Sequence, residues 1–169
     1  MSGIVVREAR PDELAAAGDV VVRAYLALGG EPPSEGYRAY LEEVRDAAGR
    51  EAHAPILVAV DADRGMVLGS VTYVPGPGNP FAELARDDES EFRMLGVAPE
   101  AQRRGVGEAM VRACMARARA DGRCAIAIST SPVMRDAHRL YERLGFRRAP
   151  DRDWSPVPGV ELWAYVLDL

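Results

Sequence analysis

The stretch Gln102-Arg103-Arg104-Gly105-Val106-Gly107 is the part of this 169-residue chain richest in chemistry. It sets two arginines and two glycines at the mouth of an apolar helical stripe. The first four N–H groups of a helix have no internal acceptor, and together they carry about half a positive charge. Glycine lets a bulky anion come close to the backbone, and the arginines add fixed positive charge. Such a turn suits a pyrophosphate. A P-loop would need Gly-Lys-Ser/Thr, where this chain has Gly107-Glu108-Ala109. A dinucleotide fingerprint wants glycine or alanine at position 110, where Met110 stands, and its first glycine directly after a strand. Gly105 instead follows the strand ending at Val97 at a distance. On these residues alone an ordinary helix entry stays open.

The elements that must hold this turn can be read from hydrophobic spacing. Residues 3–9 read as a strand. Arg10-Pro11-Asp12-Glu13 opens a helix with the stripe Leu14, Gly18, Val21, Tyr25 and Leu28, and Gly29-Gly30 stops it. Ser34 caps a second helix with the stripe Tyr37, Leu41, Val44 and Ala48. Residues 55–60 and 66–74 read as a hairpin across Asp61–Gly65. Residues 75–90, rich in proline and glycine and then acidic, read as a loop, either a solvated connector or the border of an acceptor site. A strand at 91–97 leads through Pro99-Glu100 to a helix at about 105–121, ended by Gly122, and then to a near-continuous apolar strand at 124–130. Ser131-Pro132 starts a helix with the stripe Val133, Ala137, Leu140, Tyr141 and Leu144, stopped by Gly145. Strands near 146–149 and 160–167 close the chain. The result is a mixed α/β sheet flanked by helices, in which the 91–130 crossover makes its two strands parallel.

Gln102-x-x-Gly105-x-Gly107, after a strand ending Leu95-Gly96-Val97, resembles the acetyl-CoA motif of the GCN5-related N-acetyltransferases. Ala137-His138-Arg139-Leu140-Tyr141-Glu142-Arg143-Leu144-Gly145-Phe146 is similar to that family's Ala-x-x-x-Tyr-x-x-x-Gly-Phe signature, in the right order and separation. The resemblance implies the acyl-CoA N-acyltransferase fold: a mostly antiparallel sheet of about seven strands with a splayed parallel pair and about four helices, as one domain over residues 1–169. It implies an enzyme that moves an acetyl group from acetyl-CoA to a primary amine by direct attack in a ternary complex. The alternatives are a non-catalytic acyl-CoA-binding regulatory domain and an enzyme for a larger acyl-CoA.

The resemblance also assigns residues. The pyrophosphate of acetyl-CoA falls to the amides of Arg103, Arg104, Gly105, Val106, Gly107, Glu108 and Ala109, with Gln102 opening the motif. The pantetheine arm falls to the main chain around Leu95, Gly96 and Val97, where an amide near Leu95 polarises the thioester carbonyl. Tyr141 matches the tyrosine that protonates the departing thiolate, and its spacing also fits a core residue. Glu91, eleven residues before Gln102, matches the strand glutamate used as general base. Deprotonating a lysine-like amine at neutral pH costs roughly 4.6 kcal/mol. Strand alternation puts Glu91, Arg93, Leu95 and Val97 on one side, and Glu91 closing the acidic loop or pairing with Arg93 is the plainer role. The family's asparagine seven residues before the tyrosine is Met134 here, so Ser129, Thr130 or Ser131 stands in for its contact.

Among the remaining residues, His138 reads as a surface position or a filler of the motif rather than a catalytic group, and Cys114 and Cys124 as small packed hydrophobes rather than acyl carriers. Arg112, Arg117, Arg119 and Arg123 read as a solvated face, one of them available to an adenosine 3′-phosphate. Trp154 either shapes an acceptor pocket or anchors its loop. Glu83, Asp87, Asp88 and Glu89 form an acidic rim that steers a cationic acceptor. The net charge of −5, two cysteines and two histidines argue against nucleic-acid binding, a disulfide scaffold and a structural metal. With no leader-like or membrane-spanning run, the expected location is cytoplasmic. A homodimer is implied by the resemblance.

Overall fold

Two β-branched runs joined by Asp61–Gly65 make the first hairpin of the computed structural model, which describes residues 3–29 and 32–169. β2 (Ile56–Asp61) and β3 (Val67–Val74) are antiparallel, and β1 (Ile4–Glu8) lies antiparallel to β2. The turn closes because the Asp61 carboxylate accepts from the N–H groups of Asp63 and Arg64, each at 3.0 Å, and Gly65 takes φ +68°. Every residue of β2 is buried, which is why its sequence shows no polar alternation.

After a 3-10 turn at Pro11–Glu13 comes α1 (Leu14–Leu26), which buries Ala17, Gly18, Val20, Val21 and Val22. Leu28 does not extend the stripe: the helix ends before it, and the side chain is 54% exposed. Gly29 takes φ +77°, and the Gly30 half of the expected stop lies outside the described residues. Gly18 is required by packing, since a Cβ there would sit 1.9 Å from the Arg45 carbonyl oxygen.

The single helix expected after Ser34 is two. α2 (Glu35–Arg45) is capped as expected, the Ser34 hydroxyl accepting from the Tyr37 N–H at 3.1 Å. Asp46 breaks the run, and its carboxylate accepts from the Gly49 N–H to start α3 (Ala47–Glu51). The break shifts the phase, so Ala47 and Arg50 are buried and Ala48 is exposed. The Arg50 guanidinium donates to the carbonyls of Val44 and Asp46, covering the end of α2.

β4 (Glu89–Val97) begins two residues earlier than expected, taking Glu89 and Ser90 from the loop. α4 (Val106–Ala120), β5 (Ala125–Thr130), α5 (Arg135–Arg143), β6 (Arg147–Arg148) and β7 (Trp163–Asp168) follow. α5 starts later than Ser131-Pro132, which form a turn closed by the Met134 N–H on the Ser131 carbonyl. Val133 is therefore 73% exposed instead of part of the stripe. Gly145 stops α5 at φ +100°.

The sheet is mixed and seven-stranded, in the order β1-β2-β3-β4-β5-β7-β6, with β4 and β5 parallel. Their register covers Glu89–Glu91 with Ala125–Ala127, while β5 pairs with β7 along its whole length. The chain forms two compact units, Met1–Tyr73 with Met94–Ala113, and Val74–Arg93 with Cys114–Leu169. Among the described residues no helix is long and apolar enough to cross a membrane.

Candidate active site

In the first unit, the turn before α4 is left-handed. Arg103 has φ +63° and Gly105 +79°, and residues 102–105 are all exposed. Left-handed residues turn successive N–H groups to one side, the geometry of a small anion-binding concavity. A Cβ on Gly105 would meet nothing within 4 Å, so its approach is open. Beneath the turn, Val106 and Met110 are buried, and α4 comes close over Gly69, where a Cβ would lie 2.7 Å from Met110 Cε. Glu108, an acid where an anion would dock, is turned to Arg112, which donates to it at 2.9 and 3.0 Å. Arg104 lies 3.6 Å from the Asp61 carboxylate. Gly107 and Ala109 are half-buried within the first turns of α4.

Within β4, Met94 has φ +54° and is buried. A left-handed residue in a strand turns its flanking peptide groups out of the regular ladder. Burial nevertheless alternates from Phe92 to Val97. Glu91 is fully buried, while Arg93, Leu95 and Val97 are half-buried. No sequence signal marks Met94, because methionine has no preference for this conformation. Gly96 proves to be a packing residue: its Cβ would stand 2.7 Å from Val21 Cα in α1.

In the second unit, Glu91 closes the acidic loop. Its Oε1 accepts from the N–H groups of Glu83 (2.7 Å), Leu84 (3.1 Å) and Ala85 (3.2 Å). Oε2 is buried and has no partner among the described residues. Burial pushes the Glu91 carboxyl above the usual carboxylate range, against the pull of the three N–H groups. Arg93 pairs with Glu83 and donates to the Phe81 carbonyl. Arg152 pairs with Glu89 at 2.8 Å and donates to the Leu84 carbonyl at 2.7 Å. The expected acidic rim is thus half neutralised: of its four acids, Glu83 and Glu89 each pair with an arginine.

Tyr141 is packed in the core, as its spacing on the apolar stripe predicts. Its ring lies 5.9 Å from Phe92, 5.6 Å from Phe146 and 6.1 Å from Tyr165, and the residue is 5% exposed. Burial raises its pKa, so the phenol keeps its proton. His138 is not a surface residue. It stacks on Trp163 at 5.4 Å, and its Nε2 donates to the Ser131 carbonyl at 3.0 Å and lies 3.3 Å from Thr130 Oγ1. Burial lowers its pKa. Cys114 is fully buried, but Cys124 is exposed at the entry to β5, contrary to its apolar reading. Trp154 is an anchor: its Nε1 donates to Ser129 Oγ at 2.9 Å, and its backbone bridges Leu162. Of the three hydroxyls proposed to replace the missing asparagine, Ser129 accepts from Trp154, Thr130 lies 3.3 Å from His138 Nε2, and Ser131 is half-buried. Among the described residues no group of three or more His, Cys, Asp or Glu is placed to hold a metal ion.

A model of the Acetyltransferase (GNAT) family matches residues 22–146. The chain belongs to that family. The mixed sheet with its parallel β4–β5 pair is the GNAT acyl-CoA N-acyltransferase fold. The paia N-acetyltransferase from Thermoplasma acidophilum, determined with coenzyme A, aligns with a TM-score of 0.74 at 14% identity over 99% of both chains. A GCN5-related N-acetyltransferase from Kribbella flavida aligns at 0.64 and 26% identity over 98% of both. The protein yncA from Salmonella typhimurium, determined with its cofactor acetyl-CoA, aligns at 0.65 and 20% identity over 99% of this chain and 95% of that one. N-acetylaspartate synthetase of Danio rerio is 31% identical over 81 residues, 47% of this chain and 29% of that protein. The chain thus spans less than a third of that relative's length.

Proposed function

We propose that this GNAT member is an acetyl-CoA-dependent N-acetyltransferase acting as one domain over residues 1–169, with direct transfer to a primary amine in a ternary complex. The observation that carries the reading is the open, left-handed turn at Arg103–Gly105 before α4. It fits a pyrophosphate because residues 102–105 are exposed with nothing over Gly105, and Glu108 is drawn away to Arg112. The amides of Arg103–Ala109 would hold the pyrophosphate, and the main chain of Leu95 and Val97 the pantetheine arm. Gly96 serves this stretch by admitting α1, and Ser131 takes the contact of the missing asparagine. Bound acetyl-CoA supplies the acetyl group and a thiolate leaving group.

The chain's own residues then move two protons. Glu91, being buried, takes one from the acceptor ammonium through water, and its raised pKa brings it closer to the amine it serves. Tyr141 gives one to the departing sulfur, and burial keeps that phenol protonated at neutral pH until it is needed. Cys114 is buried with its thiol pKa raised, which supports direct attack over an acyl-cysteine route. The family resemblance supports a homodimer.

A thermal shift with acetyl-CoA, beside coenzyme A, NADH and ATP, tests the reading. Ligand at a hundred times its Kd stabilises by about 2.7 kcal/mol, roughly 5–11 °C for a chain of this size. A rise selective for acetyl-CoA and coenzyme A is expected, followed by turnover in an amine screen. No rise at millimolar acetyl-CoA refutes the assignment of the turn.

A further inference from the structure

Glu91 has two carboxylate oxygens in different surroundings. One gathers three consecutive backbone N–H groups, those of Glu83, Leu84 and Ala85. The other is buried with no partner among the described residues. Two arginines flank the same segment: Arg93 on the Phe81 carbonyl and Glu83, Arg152 on the Leu84 carbonyl and Glu89. An apolar side chain at 91 would be the cheaper way to fill a buried strand position, because an ionised carboxyl loses its water there. What the carboxylate adds is a single conformation for a stretch that is neither helix nor strand and contains no other regular hydrogen-bonded ladder.

We infer that Glu91 is the positioning residue of the 83–85 segment: Oε1 fixes that backbone, and the fixed backbone borders the acceptor's approach to the carboxylate. The kinetic part of this inference rests on the transferase reading and on the base role of Glu91. The structural part does not. A glutamine at 91 keeps an acceptor for the three N–H groups and loses the base. Alanine or methionine loses both, and methionine also fills the space.

Hydrogen exchange followed by mass spectrometry on the full chain separates these variants without any need for turnover. The amides of Glu83–Ala85 are expected to be protected in the wild type and in Glu91→Gln. In Glu91→Ala and Glu91→Met they should exchange at least about tenfold faster, the scale of losing hydrogen bonds to a charged acceptor. Exchange in β5 and β7 should stay unchanged in the methionine variant, which remains decisive where alanine fails to fold. With an amine that turns over, Glu91→Gln should lower kcat and keep the acceptor KM within about twofold, while Glu91→Met should also raise that KM by about tenfold or more. Equal protection of residues 83–85 in wild type and Glu91→Met overturns the inference whatever the activity. Protection lost equally in Gln and Met overturns it as well. Protection that follows the pattern in a protein with no turnover on any amine keeps the positioning role and removes the transferase reading instead.

Discussion

Two glycines of the cofactor motif, Gly96 and Gly105, should respond to alanine in opposite ways. At Gly96 a Cβ would lie 2.7 Å from Val21 Cα, 3.1 Å from Val21 Cγ1 and 3.2 Å from Ala24 Cβ. The nearest atom is backbone, so α1 must move or β4 must bend. Overpacking of this kind costs about 1–3 kcal/mol, which lowers Tm by roughly 2–12 °C. At Gly105 a Cβ meets nothing, and only the φ of +79° is unfavourable. That conformation costs an L-residue about 1–2 kcal/mol, a Tm loss of roughly 2–8 °C. The ligand response separates the two more sharply than the apo Tm does. Gly96→Ala should lose stability and keep the full acetyl-CoA-induced shift, because its change lies on the α1 side. Gly105→Ala should shrink that shift, because relief of the strain draws the turn's amides out of line. Differential scanning fluorimetry with and without acetyl-CoA reads both. An unchanged apo Tm for Gly96→Ala would falsify the packing account, and a ligand shift lost in Gly96→Ala but kept in Gly105→Ala would reverse the assignment.

Tyr141→Phe keeps the ring among Phe92, Phe146 and Tyr165, so the fold and acetyl-CoA shift should survive while kcat falls by about 10²–10⁴-fold; steady-state kinetics with an active amine checks this. Arg152→Met strands the buried Glu89 carboxylate and the Leu84 carbonyl, which should cost about 3–5 kcal/mol. Adding Glu89→Leu should recover much of that loss in a double-mutant cycle by chemical denaturation. Glu91 has a carboxyl pKa raised by burial, so its contribution to stability is full below the ordinary carboxylate pKa and is lost as pH rises through the raised folded value. Glu91→Gln should therefore match the wild-type Tm in mild acid and exceed it at neutral and alkaline pH; a variant that is relatively weakest at high pH would contradict the sign.

Much of the fold was legible because it is written in local spacing. Ser34 and Gly145 act at helix ends as their types require, and Asp61 closes the hairpin with its own carboxylate. The parallel β4–β5 pair follows from a crossover helix between two strands of one sheet. Both motif segments were likewise visible, because glycines at a helix entry and an aromatic residue on an apolar stripe are local patterns. The errors fall where a distant part of the chain decides. Asp46 has the type of a cap, and the helix breaks there with buried Arg50 donating to the Thr72 hydroxyl of β3 as well as to the carbonyls of Val44 and Asp46. His138 has polar chemistry and an internal position, because the face of α5 that it occupies meets Trp163 and the Ser131 carbonyl. The acidic rim looked like surface charge until Arg93 and Arg152 were brought to Glu83 and Glu89.

The sequence by itself determined the elements, the family and the identity of the residues that carry charge, because these depend on neighbours within a few positions. Only the tertiary structure decided which charges are spent on one another and which backbone is bent. Met94 is left-handed in mid-strand, and Glu91 holds three amides that lie six to eight residues before it. Such arrangements arise when buried polar groups must find partners wherever the folded chain places them, and no local pattern specifies where that is.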